Sequence, residues 1–245
     1  LRPCYPMVLS KEVDGRPVFI TTMAGIKSLY LDFYPPHRHL LLMRQPITRE
    51  SIIRAIRLPG NRRSDYDLNP GVKREINGSR PLRAAAVLCP IVERPHGLSV
   101  ILTQRPDTMR EHAGQVAFPG GKIDEGDVDA EAAALREANE EIGLPHHHAE
   151  VLGEIDHYET GTGFRVAPIV AMIHPTFQPV PDPREVAAVF ETPLDYLMNP
   201  ANLETRTGHW GGRERQYYAY DWEDRYIWGA TAGMLKSLAD RLAAL

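Results

Sequence analysis

At 245 residues, with 43% apolar and 24% charged side chains, the chain falls in the range of soluble globular proteins, long enough for one main domain with appendages. A net charge of -4 argues against a protein that coats nucleic acid or anionic membrane, so a phosphate-bearing ligand would need local cationic help. Cys4 and Cys89 are the two cysteines. They give neither a disulfide framework nor zinc spacing, and a reducing, cytoplasmic setting is the simplest reading. No apolar run reaches the roughly 18 residues of a membrane-spanning helix, so no membrane partner is expected.

Residues 1–42 fit no clear element, and the chain opens on Leu1 rather than an initiator methionine. Met43 followed by RQPITRESIIRAIRL reads better as a natural start. The expectation is a doubtful extension over 1–42, a helix and loop over 43–80 and the main domain over 81–245. Mass spectrometry of the natively expressed protein tests it: a species retaining the upstream segment defeats it. From Thr48, the spacing of Ile52, Ile53, Ile56 and Leu58 predicts a short amphipathic helix that Pro59-Gly60 ends. The apolar runs Arg83 to Val92 and Leu98 to Leu102, parted by Pro95-His96-Gly97, predict two paired strands.

Between Gln104 and Gly121 lies a stretch broken by Pro106, Gly114, Pro119 and Gly120, too long for an idle connection. AEAAALREANEEI, from about Asp129 to Ile142, consists mostly of strong helix formers and closes at Gly143 and Pro145. Ala149 to Tyr158 and Phe164 to Ile173 predict a second hairpin turning at Gly161-Thr162-Gly163. Glu185 to Met198 reads as a shorter helix around Val186, Val189, Phe190 and Leu194, kinked at Pro193. Arg213 to Trp222 suggests a strand, and Thr231 to Leu245 a helix. Strands on both sides of a central helix, with further helices behind, predict an α/β sandwich around a mixed sheet.

On the central helix, Glu137 meets Glu140 at i,i+3 and Glu141 at i,i+4. Three like charges on one corner repel unless cations resolve them, and such hard oxygen donors suit Mg²⁺ or Mn²⁺. A solvated Glu-rich face is the plain alternative on the helix alone. Upstream, Phe118-Pro119-Gly120-Gly121 lets backbone amides and carbonyls come close to a metal or phosphate.

The string from Gly121 through Arg136-Glu137-Ala138-Asn139-Glu140-Glu141-Ile142-Gly143 resembles the Nudix box. Its spacer is one residue longer than the common box, and Asp127 holds the acidic place near its middle. Leu102-Thr103-x-Arg105, Arg110, Gly114 and Phe118-Pro119-Gly120-Gly121 resemble the signature of the coenzyme A pyrophosphatase branch, with Pro106 where that branch has Ser or Ala. The likeness implies a Nudix-type α/β/α sandwich with an extra N-terminal segment. It also implies metal-dependent cleavage of the coenzyme A diphosphate to 3′,5′-ADP and 4′-phosphopantetheine. Alternatives are ADP-ribose or a dinucleotide as substrate, or a nucleotide sensor without turnover; the intact Glu137, Glu140 and Glu141 favour an enzyme. A homodimer rests on family analogy alone.

Glu137 and Glu141 are the first choice as metal ligands, with Glu140 as ligand or proton acceptor; the Gly121 carbonyl completes the set only as the resemblance implies. Arg136 is expected to hold a neighbouring carboxylate in place. Arg105 and Arg110 are candidates for phosphate contact by bidentate guanidinium, with Gly120 and Gly121 beside them. Glu185 is a further candidate base or ligand. Asp124, Glu125, Asp127 and Asp129 read as a solvated loop rather than a calcium cage, with Asp127 open as an outer metal contact, His146-His147-His148 as loop decoration, and Trp228 with Tyr217, Tyr218 and Tyr220 as core or interface rather than a base-stacking platform.

Overall fold

Two long β-branched and small-residue runs make the centre of the fold. In a computed structural model the described residues are 46–72, 81–109, 112–210 and 212–245, with the backbone of 8–13 and 16–21. The chain divides into Leu1–Arg44 and Gln45–Leu245. In the first unit, β1 (Val8–Val13) and β2 (Arg16–Thr21) form an antiparallel hairpin, Val8 opposite Thr21 through Val13 opposite Arg16. The sequence reading had found no element there. Cys4 and the remaining residues of 1–42 lie outside the described residues.

In the second unit Thr48 caps α1 (Arg49–Ile56), exchanging hydrogen bonds with Ser51 in a capping box. There follow β3 (Arg63–Ser64), β4 (Arg83–Arg94), β5 (Gly97–Gln104), β6 (Val116–Ala117) and β7 (Gly120–Lys122). Helix α2 (Ala130–Ile142) starts at Asp129, whose carboxylate accepts from the Ala132 amide, and stops at Gly143, left-handed at φ 67°. Next come β8 (Ala149–Glu154), β9 (Tyr158–Glu159), β10 (Phe164–Ile173), β11 (Ala188–Pro193), α3 (Leu194–Leu197), β12 (Glu204–Trp210), β13 (Arg213–Trp222), β14 (Arg225–Trp228) and α4 (Ala230–Ala243).

Among the described residues nine strands form one mixed sheet, with β11-β5-β4-β10-β9-β3 as its spine. β10 runs parallel to β4 over ten pairs, Phe164 opposite Arg83 to Ile173 opposite Val92. The other edge of β4 is shared, by β7 at Ala85 to Val87 and by β5 from Ile91 to Arg94. Strands β12, β13 and β14 make a separate three-stranded antiparallel sheet. Residue parity sorts the main sheet's side chains, as a two-residue period requires. Odd-numbered Ala85, Cys89 and Ile91 join one core with Ile52 of α1 and Met234, Leu235 and Leu238 of α4. Even-numbered Ala86, Leu88 and Val92 join a second with Ala133, Ala134, Ala138 and Ile142 of α2. A sheet covered by helices on both faces is the expected α/β/α sandwich. Each fully buried Leu or Ile contributes roughly 1.5–3 kcal/mol, so Leu88 and Ile142 fix α2 on its face. Cys89 is free and buried in the first core, where desolvation pushes its thiol up to about 12.

In the second unit one predicted helix departs from expectation. Within Glu185 to Met198, Ala188–Pro193 is a strand, β11, antiparallel to β5 from Ala188 opposite Gln104 to Pro193 opposite Ser99, and only the single turn α3 that follows it is helical. Val189 and Phe190 suit a strand, and Pro193, which lacks an amide proton, ends the ladder. Among the described residues no helix is long and apolar enough to cross a membrane.

Candidate active site

The rim of the site is where β7 meets α2. Gly120 has φ +155°, and a Cβ there would stand 2.5 Å from the Ala86 carbonyl oxygen; only glycine lets β7 lie this close to β4. At Gly121 a Cβ would stand 2.5 Å from Glu137 Oε1. The absent side chain is the space that the Glu137 carboxylate occupies.

Arg136 organises this corner. Its guanidinium donates two bonds of 3.0 Å to the Asp127 carboxylate, one of 3.0 Å to Glu137 Oε1, one of 3.1 Å to Glu140 Oε2 and one of 3.2 Å to the Lys122 carbonyl. The fork holds Asp127 below the usual carboxylate range, and Asp127 in turn raises Arg136. Asp127, on the acidic loop before α2, is thereby tied to the helix.

Glu141 is 3% exposed. Burial pushes its carboxyl up to about 8; the nearby Arg105 opposes that, Glu137 and Glu185 add to it, and the Gly120 amide bonds to it. Glu137 is raised by the same desolvation, countered by Arg136. Glu185 arrives from another segment because the chain beyond α2 is pinned to the helix end. The Val180 amide donates to the Ile142 carbonyl and the Asp182 amide to Glu141. Two residues past Glu185, the Ala187 amide donates to Gln104, beside Arg105.

Glu137, Glu141, Glu185, Arg105, Gly120 and Gly121 line one cleft of about 910 Å³. Glu140 lies outward, bonded to Arg136 and 57% exposed. Arg110 lies outside the described residues. Trp210, Tyr217, Tyr218 and Trp228 also line the cleft. The sequence reading set the latter three aside as core or interface; Tyr218 does pack on the first core, but it too reaches the cleft. The parity of β13 could have signalled this, since Arg215 and Tyr217 share the face opposite Tyr218 and Tyr220.

No group of three His, Cys, Asp or Glu side chains stands at metal-ligating separation among the described residues. The donor set nevertheless fits a divalent cation. Carboxylates that raise one another's proton affinity gain from a cation between them, and the Gly121 notch opens directly on Glu137.

A family model for the NUDIX domain matches residues 82–211. The protein named "Uncharacterized Nudix hydrolase NudL" from Klebsiella pneumoniae (strain 342) is 41% identical over 162 residues, 66% of this chain and 84% of its own length. Its namesake in Escherichia coli (strain K12) is 40% identical over 172 residues, 70% and 88%. Among solved structures, the Nudix hydrolase RenU from M. smegmatis is 27% identical, with a TM-score of 0.39 over 47% of this chain and 73% of its own. The family match spans just over half of the chain and the relatives are covered almost whole, so this protein belongs to the Nudix hydrolases.

Proposed function

We propose that the chain cleaves the diphosphate of coenzyme A, or of a coenzyme A derivative, to 3′,5′-ADP and 4′-phosphopantetheine. Mg²⁺ or Mn²⁺ is its cofactor, and the cytoplasm its compartment. One observation carries the reading: Arg105 and Gly120-Gly121, from the flank that resembles the coenzyme A branch, open on the same cleft as Glu137 and Glu141 of the box.

A divalent ion held by Glu137 and Glu141, with Glu140 joining them only by turning in from Arg136 and the Gly121 carbonyl completing the set as the resemblance implies, would screen the diphosphate charge and lower the pKa of a bound water. The chain does the rest. Arg105, whose Nε is buried without a protein partner among the described residues, forks onto the phosphate oxygens beside Glu141. Arg136 keeps Glu137 facing the Gly121 notch. Glu185 lines the cleft, is not among the described partners of Arg136, and takes the proton of the attacking water on its carboxylate.

Product analysis by chromatography, with Mg²⁺ or Mn²⁺ and separately coenzyme A, ADP-ribose and a diadenosine polyphosphate, tests this. 3′,5′-ADP from coenzyme A alone is expected, with Glu141→Gln dead and Glu185→Gln reduced about 10²–10⁴-fold in kcat. Preference for ADP-ribose overturns the substrate; binding without turnover of any of them overturns the activity.

A further inference from the structure

Away from the carboxylates the cleft runs into a second polar corner that the proposed chemistry does not use. Tyr66 is 4% exposed, yet its hydroxyl has no hydrogen-bond partner among the described residues. Arg215 of β13 shares part of that condition: its Nε is buried without a hydrogen-bond partner among the described residues, while its charge lies close enough to pull the Asp65 carboxyl down against the burial that raises it. Both side chains line the cleft. A buried donor with no acceptor costs free energy until a ligand or water supplies one, so two such donors on one wall mark a place for an anionic acceptor. The neighbouring carboxylate is already engaged. Asp65 accepts 2.9 Å from the Tyr158 hydroxyl on one oxygen and 2.7 Å from the Gly161 amide on the other.

The wall beside this corner is aromatic. In the β12–β13 ladder Gly208 stands opposite Arg215. The Trp210 indole folds back over Gly208, where a Cβ would come within 2.5 Å of the ring. The missing side chain thus lays Trp210 alongside Arg215. Tyr217 shares their face, and Trp228 of β14 stacks on Trp210 with ring centroids 5.9 Å apart and planes 12° off parallel. Trp210, met edge-on by Tyr217 at 5.3 Å between ring centroids, remains 38% exposed and offers solvent a flat apolar surface.

We infer that this corner seats a purine nucleoside 5′-phosphate that bears a second phosphomonoester elsewhere on its ribose, the base on the Trp210 and Trp228 indoles and the oxygens of that second phosphoryl group on Arg215 and the Tyr66 hydroxyl. A phosphomonoester dianion accepts from both orphan donors at once, and a guanidinium matches it bidentately. Base-on-aromatic stacking suits any purine, so the phosphoryl group supplies the selectivity. The inference rests on the diphosphate-hydrolase reading for the class of ligand and adds the group that distinguishes one nucleoside half from another.

Isothermal titration in EDTA with adenosine 3′,5′-bisphosphate and adenosine 5′-monophosphate is the test. The wild type should bind the bisphosphate about ten- to a hundredfold more tightly, the worth of hydrogen bonds to a charged group. Arg215→Gln and the nearly isosteric Tyr66→Phe should each bring that ratio towards one, whereas Trp210→Ala should weaken both nucleotides alike. A fall of the ratio in either polar variant supports the inference. A wild-type ratio near one, or a ratio unchanged in both variants, overturns it. Neither probe contains a diphosphate bond and no divalent ion is present, so the outcome is independent of turnover: failure to cleave coenzyme A leaves this subsite standing, and loss of the ratio leaves the hydrolase standing.

Discussion

Wrapped by α2 and faced by Glu137 and Glu185, Glu141 holds its proton in the folded chain to about pH 8, against an ordinary value of 4.5. Between those values folding takes up a proton, so metal-free stability is highest below the unfolded value and falls as pH rises through the window, by on the order of 4 kcal/mol. Glu141→Gln removes the charge that deprotonation creates. In EDTA it should melt several degrees above wild type at pH 8 and close to it at pH 4.5; equal melting at pH 8 would show that burial does not strain this carboxylate. Added Mn²⁺ should raise the wild-type melting temperature and leave the variant unmoved. Arg136 acts through others, because its fork grips Asp127, Glu137 and Glu140 together. Arg136→Lys keeps the charge but loses the fork. The metal concentration for half-maximal activity should rise about 10–100-fold with the substrate KM little changed; an unchanged metal requirement refutes the positioning role.

At the scale of elements, the sequence made most of this architecture readable, and the exceptions have a physical pattern. Helix α2 declared itself through Asp129, an alanine and glutamate interior and Gly143, all local signals. β4 and β10 declared themselves as apolar runs of strand length. β11 did not, because Val186, Val189, Phe190 and Leu194 repeat at helical spacing, while the ladder with β5 that makes Val189 and Phe190 part of a strand is a long-range fact. The carboxylate end of the cleft was legible because Glu137 and Glu141 sit on one helix, beside one glycine pair. Arg215 and Tyr66 carry no motif, and only the crossing of β12–β14 with the 64–69 segment brings them to one wall. The junction of β7 with α2 yields its own prediction. Gly121→Ala drives a methyl into the Glu137 carboxylate, whose oxygens can swing away, so the cost should fall on metal activation more than on folding. We expect a loss of at least tenfold in metal affinity with a stability change near 1 kcal/mol or less, read by metal titration and by urea melts; the reverse pattern would make Gly121 a packing residue.

On the scale of the whole second unit, the family match covers 82–211, yet one face of the main sheet is closed by α1 and α4, which lie outside that span. A buried ion pair fastens them. Arg241 of α4 makes bonds of 2.8 and 2.9 Å to Asp156 and reaches the carbonyls of Ala55, Ile56 and Leu58 at the end of α1. Ser237 and the Asn61 amide also donate to Asp156. Asp156→Asn leaves Arg241 buried with a neutral partner, and about 3–5 kcal/mol of stability should go with it, seen as a lower midpoint in urea with an unchanged slope. A loss below 1 kcal/mol would mean that packing alone holds the two helices. The same closed face sets the behaviour of Cys89. With its thiol pushed to about 12, about one molecule in 10⁵ carries the thiolate at pH 7 even before access is considered, and a reagent reaches it only once the helices have parted from the sheet. In a Cys4→Ser background, the rate at which that one sulfur is labelled becomes a clock for the opening of the protein.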